Sequence, residues 1–139
     1  MSQFYVTTPL YYVNDKPHVG HAYTTIAADV VSRWHKMLKN PVHFLTGTDE
    51  HGQKVFEAAQ KRSLSPKDHT DKMVLPFQEL WKSLDIDFDD FIRTTEDRHI
   101  SVVQAILNKL HVNGDIYEDY YEGWYSTSAE RFWTEKDLV

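Results

Sequence analysis

The chain has 139 residues, 41% of them hydrophobic and 26% charged, which is enough for one domain with a real core. Its net charge of −6 excludes a general nucleic-acid-binding field, so RNA phosphates would be met on a local patch or outside this chain. It has no cysteine, which excludes disulfides and thiolate metal sites and fits a reducing compartment.

The opening residues, Met1 to Val6, have neither the basic start nor the apolar length of a signal peptide, and no stretch is long enough to cross a bilayer. Gln3 to Tyr12 is rich in Tyr, Val, Thr and Phe and nearly continuously apolar. That texture predicts a strand buried on both faces of a parallel sheet. Asn14-Asp15-Lys16-Pro17 ends it in a turn. From Ala22 to Lys39 the apolar residues Tyr23, Ile26, Ala27, Val30, Val31, Trp34, Met37 and Leu38 recur at helical spacing, which predicts a helix burying that face. Asn40-Pro41 stops it.

Val42 to Thr46 reads as a second strand, completing a βαβ unit with a right-handed crossover. Gln53 to Arg62 is a helix with Val55, Ala58 and Ala59 inward. Ser65-Pro66-Lys67-Asp68 starts another, with Ser as N-cap and Pro at the first helical position. It runs to about Leu84 with Met73, Phe77, Leu80, Trp81 and Leu84 on its apolar face, and Pro76 predicts a kink or break. The acidic stretch Asp85 to Asp90 lacks the Gly and distal Glu of a calcium loop and reads as solvated. Phe88 and Phe91 to Arg93 lead into a third strand. Thr94 or Thr95 then caps a helix over Asp97 to Val112, with Ile100, Val103, Leu107 and Leu110 inward and Asn113-Gly114 as its stop. The aromatic and acidic run from Ile116 to Tyr125 suits a twisted hairpin, and Glu130 to Val139 is too short to close anything.

Chemistry concentrates at Pro17-His18-Val19-Gly20-His21, between the first strand and the first helix. The first N–H groups of a helix lack intrahelical partners and carry partial positive charge, so this end is suited to a phosphate. Gly20 lets a flat ligand approach the backbone, and two imidazoles can donate to phosphate oxygens. A structural His pair beside a helix cap explains the same five residues equally well. Gly47-Thr48-Asp49-Glu50-His51-Gly52 follows the second strand at the same sheet edge, where ligands of such folds bind. Its two glycines let a loop carry an acid and an imidazole close to a ligand, although helix capping plus solvated charge accounts for Asp49-Glu50-His51 as well.

Taken together, the segments match a known family almost end to end. They are Thr7-Thr8-Pro9-Leu10-Tyr11-Tyr12-Val13-Asn14, Pro17 to Thr25, Ala28-Asp29-Val30, Phe44 to Lys54, Asp90-Phe91-Ile92-Arg93-Thr94-Thr95, Gly114-Asp115-Ile116-Tyr117 and Tyr121-Glu122-Gly123-Trp124-Tyr125. The chain resembles the N-terminal part of the methionyl-tRNA synthetases, class I aminoacyl-tRNA synthetases. The resemblance implies an α/β fold: a Rossmann-type parallel sheet with flanking helices over residues 1–115, then the start of a connective insertion over 116–139. It implies an ATP-dependent ligase that activates methionine as methionyl-adenylate, with Mg²⁺, and transfers it to tRNA.

In that family the pair matched by His18 and His21 meets the ATP phosphates and the glycine matched by Gly20 lies against the adenine. Leu10 and Tyr12 match contacts to the methionine side chain, Asp49 matches the acid that takes its ammonium group, and His51 lies beside that acid. An apolar pocket closed by a ring suits a polarisable thioether. The expected partners are ATP, L-methionine and, mostly through parts outside this chain, tRNA, with no membrane. The expected compartment is the cytoplasm, or an organelle.

Two departures stand out. The family's Lys-Met-Ser-Lys-Ser loop is absent, with the second half of the catalytic domain and the anticodon-binding domain, so this stretch alone is expected to be impaired or inactive. At Tyr125-Ser126-Thr127-Ser128-Ala129, Ser126 and Ala129 stand where many members have zinc-binding Cys, which implies a zinc-free variant for this knuckle. Two alternatives stay open: a small nucleotidyltransferase using the same His pair, and a non-catalytic truncated paralogue serving as a binding module.

Overall fold

Strand β3 (Val42–Asp49) is the spine of the sheet. In this computed structural model, which describes residues 3–137, it pairs in parallel along both edges. Leu45 is matched by Thr7 of β1 (Phe4–Thr7) on one edge and by Asp90 of β4 (Asp90–Arg93) on the other. Thr48 is likewise matched by Tyr11 of β2 (Tyr11–Tyr12) and by Arg93. So β1 and β2 follow one another along a single edge of β3, opposite β4.

The single strand expected over Gln3 to Tyr12 is therefore two pieces. From Thr7↔Leu45 to Tyr11↔Thr48, the first strand advances one residue more than β3 does. Pro9, which has no N–H to pair, sits in this bulge. Bulge and proline together re-aim the chain just before the residues expected to meet ligand.

Helix α1 (Val19–Met37) follows, then α2 (Gln53–Lys61) and α3 (Pro66–Ser83) between β3 and β4. α2 buries Val55 and Ala59, as its pattern predicts. Ser65 caps α3, its hydroxyl accepting the Asp68 N–H at 3.1 Å. α3 runs unbroken through Pro76 and buries Met73, Val74, Phe77 and Trp81. Met73, Phe77 and Trp81 pack with Tyr11, Val13 and Val55 as the core of the unit that extends to Ile100.

α1 contradicts its sequence reading. The face expected to be buried is outward: Tyr23 is 77% exposed and Trp34 57%, and Ile26, Val30, Val31, Met37 and Leu38 are exposed too. The buried residues are Thr25, Asp29 and Ser32. That side is used for polar ties. Tyr11 Oη lies 2.8 Å from Thr25 Oγ1, and Asp29 accepts the Asp87 N–H at 2.9 Å and Arg33 Nε at 2.7 Å.

α4 (Asp97–Val112) ends in the Asn113-Gly114 stop, with Asp115 N–H reaching Leu110 O at 2.9 Å. It buries none of its residues: of the four expected inward, Ile100 and Leu110 are half-buried and Val103 and Leu107 are exposed. Thr94 and Thr95 do not cap it, because their hydroxyls are engaged by Glu50.

The second unit, from Ser101 on, contains an antiparallel pair, β5 (Trp124–Ser126) with β6 (Arg131–Trp133). The hairpin thus lies later than expected. Trp124 opposes Trp133, and the Arg131 guanidinium stacks 3.9 Å from the Trp133 ring centre. Residues 1, 2, 138 and 139, the outer ends of the two expected domains, lie outside the described residues. Among the described residues no helix is long and apolar enough to cross a membrane.

Candidate functional site

The His-Val-Gly-His segment forms the first turn of α1. His18 is the N-cap with extended backbone, and His21 is the third helical residue. The two side chains cap reciprocally. His18 Nδ1 accepts the Gly20 N–H at 3.1 Å, and His21 Nδ1 accepts the His18 N–H at 3.1 Å. The rings stack with centres 3.9 Å apart. A ring nitrogen that accepts a backbone N–H carries no proton, so each imidazole keeps its proton on Nε2, the atom left to donate to an anion.

Gly20 is required by this geometry. A Cβ there would fall 2.9 Å from His18 Cε1 and 3.1 Å from Nδ1, too close for the ring to keep its place. The sequence assigned this glycine to ligand approach; its first demand is the cap itself.

Behind His21 stands an aromatic wall. Tyr11 meets it edge-on at 4.9 Å between ring centres, and Phe77 lies at 5.3 Å. Thr25 Oγ1 donates to His21 O at 3.0 Å and so receives the Tyr11 hydroxyl. Burial, with the neighbouring His18 charge second, holds the His21 imidazolium below the ordinary value of 6.5.

Tyr12, the next residue along β2, is 43% exposed where Tyr11 is buried, as strand alternation dictates. Tyr12 is in register with Asp49, so the two share one sheet face at the carboxyl end of β3. Asp49 Oδ1 accepts the His51 N–H at 3.3 Å, and His51 Nε2 donates to Thr94 O at 3.3 Å. Leu10 is half-buried in the bulge ahead of β2. The structure thus brings together His18 with His21, and Tyr12 with Asp49 and His51. The two groups are joined through the adjacent residues Tyr11 and Tyr12.

A cavity of about 390 Å³ beside the turn after β2 is lined by Asn14, Asp15, Lys54, Lys61 and Arg62 among others, and by none of the expected site residues.

Known proteins of this construction decide the family. Residues 4–139 match the family described as tRNA synthetases class I (M). The methionine–tRNA ligase of Halalkalibacterium halodurans is 55% identical over 98% of this chain and 21% of its own length, and that of Clostridium tetani is 53% identical over 97% and 21%. A structure of Mycobacterium tuberculosis methionyl-tRNA synthetase in complex with methionyl-adenylate superposes with a TM-score of 0.92, at 43% identity, over 98% of this chain and 27% of that one. The chain belongs to the class I methionyl-tRNA synthetase family.

It spans about one-fifth of the length of the relatives it matches. Its α/β architecture, a parallel sheet with flanking helices, is that of the class I synthetase catalytic domain. The residue that sequence reasoning missed in this synthetase segment is Glu50. Asp49-Glu50-His51 read as solvated charge, yet the Glu50 side chain is fully buried and paired with Arg93. The available signal was Arg93 itself, the lone cation in Asp90 to Thr95. At the knuckle position Ser126 Oγ lies 3.1 Å from Ser128 Oγ and accepts the Ala129 N–H at 3.3 Å, so a hydroxyl closes that turn. Among the described residues no group of three or more His, Cys, Asp or Glu is placed to hold a metal ion.

Proposed function

We propose that this chain is the nucleotide- and methionine-binding front of a methionine–tRNA ligase. Residues 1–115 would form the first half of the catalytic domain and 116–139 the start of the connective insertion. The observation that carries the reading is the reciprocal His cap. It leaves two Nε2–H donors side by side at a helix N-terminus, suited to the charge that builds on a transferring phosphoryl group.

In this reading methionine is the nucleophile: its carboxylate attacks the α-phosphate of ATP, pyrophosphate leaves, and methionyl-adenylate forms. The protein needs no nucleophile of its own and acts by positioning and electrostatics. His18 and His21 hold phosphate oxygens, Gly20 borders the adenine, Asp49 takes the substrate ammonium beside His51, and Leu10 and Tyr12 meet the thioether. Mg²⁺ arrives with the nucleotide's phosphates. A tRNA then takes the methionyl group through regions mostly beyond these residues, in the cytoplasm or an organelle.

Methionine-dependent ATP–pyrophosphate exchange by the full-length protein tests the reading. Exchange that ignores methionine would point to a general nucleotidyltransferase, and no nucleotide binding at all would leave only a binding module. His21→Ala is expected to slow adenylate formation about 100-fold with little change in methionine affinity. Asp49→Ala is expected to weaken methionine about tenfold or more while sparing ATP. Equal effects of Asp49→Ala on both ligands would remove it from the amino-acid site.

A further inference from the structure

Glu50 is the one acid of the Gly-Thr-Asp-Glu-His-Gly segment that the proposed chemistry does not use, and it is the one that is buried. Its carboxylate accepts four hydrogen bonds. Oε1 takes Thr48 Oγ1 at 2.8 Å and Arg93 Nε at 2.7 Å; Oε2 takes Arg93 Nη2 at 3.0 Å and Thr95 Oγ1. The fork of Arg93 grips both oxygens, and its Nη2 also reaches Asp71 of α3 at 2.6 Å. Backbone ties run alongside. Glu50 N–H donates to Thr94 Oγ1 at 2.8 Å, Thr94 N–H to Thr48 O at 3.2 Å, and His51 Nε2 to Thr94 O at 3.3 Å.

Asp49 lies between Thr48 and Glu50, so both of its neighbours are stitched to residues 93–95. A buried ion pair is costly to assemble and does little for net stability, but it fixes geometry where its remaining hydrogen bonds are satisfied. Here every oxygen of Glu50 is satisfied twice, and Arg93 offsets a second negative charge directly beside Asp49. Asp49 is left as the acid at the half-exposed edge.

We infer that Glu50 is a positioning residue for methionine recognition: clamped by Arg93, Thr48 and Thr95, it holds the β3 terminus so that Asp49 meets the substrate ammonium. This rests on the assignment of Asp49 to the amino-acid site.

The test uses the full-length protein with Glu50→Gln, Arg93→Lys and Thr95→Val, and Asp49→Ala as reference. Each is titrated calorimetrically with methionine and with its analogue carrying a hydroxyl in place of the α-ammonium. Exchange kinetics normalised to active sites give the KM for ATP. Glu50→Gln is expected to weaken methionine about tenfold, the loss of a well-placed charged contact, with the KM for ATP within about twofold. The penalty should largely vanish for the hydroxy analogue, because only the ammonium reports on Asp49. Arg93→Lys and Thr95→Val should show the same selectivity at smaller amplitude, and they decide the matter if Glu50→Gln does not fold.

A folded variant with unchanged methionine affinity, or one that loses methionine and the hydroxy analogue equally, overturns the inference. If Asp49→Ala also leaves methionine affinity intact, the assignment of the amino-acid site falls with it. If Asp49→Ala weakens methionine and Glu50→Gln does not, only the role of Glu50 falls.

Discussion

His21 is held neutral by its surroundings, and the cap makes that neutrality consequential. Protonating Nδ1 would turn the acceptor of the His18 N–H into a donor and break the reciprocal cap. Because the His21 value is lowered by burial, and next by His18, the folded chain binds fewer protons than the unfolded one over the affected range. The associated stability is therefore fully present above the unfolded value of 6.5 and is lost as pH falls through the depressed folded value. NMR of the ring nitrogens is expected to show His21 as the Nε2–H tautomer with a titration midpoint below 6.5. A midpoint at or above that value, or an Nδ1–H tautomer, would contradict the cap. Gly20 belongs to the same device: a Cβ there would crowd the His18 imidazole and push it from its capping position. Gly47 shows the same logic in the sheet. A Cβ there would lie 1.9 Å from Ile92 O, so the close pairing of β3 with β4 excludes any larger residue. The sequence located all of these residues and suggested ligand chemistry for them. It did not reveal that they first solve packing problems, because a ring folding back on its own helix terminus leaves no spacing signature.

At the scale of elements, what was legible followed from local rules. The Ser65-Pro66 start of α3, the inward Val55 and Ala59 of α2 and the Asn113-Gly114 stop each depend on neighbours within a turn or two. The orientation of α1 was not legible. Helical periodicity marks an apolar face but not what covers it, and here the buried side belongs to Thr25, Asp29 and Ser32, the first two tied to residues outside the helix. Asp29 is the clearest case: it is 7% exposed, and its partner, the Asp87 N–H, lies 58 residues away. Removing it orphans that N–H and takes one partner from Arg33, which keeps Asp85; that side chain is 43% exposed, so this loss costs little by itself. Asp29→Ala is expected to destabilise the fold by about 1–3 kcal/mol, the range for losing a buried hydrogen-bonded group. Urea unfolding checks this, and a change below about 0.5 kcal/mol, the size of an ordinary surface substitution, would show that the tie contributes nothing.

For the molecule as a whole, the proposed function asks the sheet edge for donors to phosphate and an acid for an ammonium, while charge and exposure show what these residues leave undone. The net charge of −6 repels a polyanion overall, so under the proposed function the affinity for tRNA would have to come from beyond these residues. The outward face of α1, with Tyr23, Ile26, Val30, Trp34 and Met37 exposed along one helix, is apolar beyond what a solvated helix needs, and such contiguous faces mark contact surfaces. The relatives are about five times longer than this chain, and the sequence Lys-Met-Ser-Lys-Ser does not occur within it. Charge stabilisation at the transferring phosphorus depends on groups in place together, and effects of residues acting as a unit are not additive. The 139 residues by themselves are therefore expected to show no methionine-dependent ATP–pyrophosphate exchange under conditions where the full-length protein turns over. Measuring both at equal concentration decides it: exchange by the short chain at a rate near that of the long one would mean that the His pair and Asp49 form a self-sufficient catalyst.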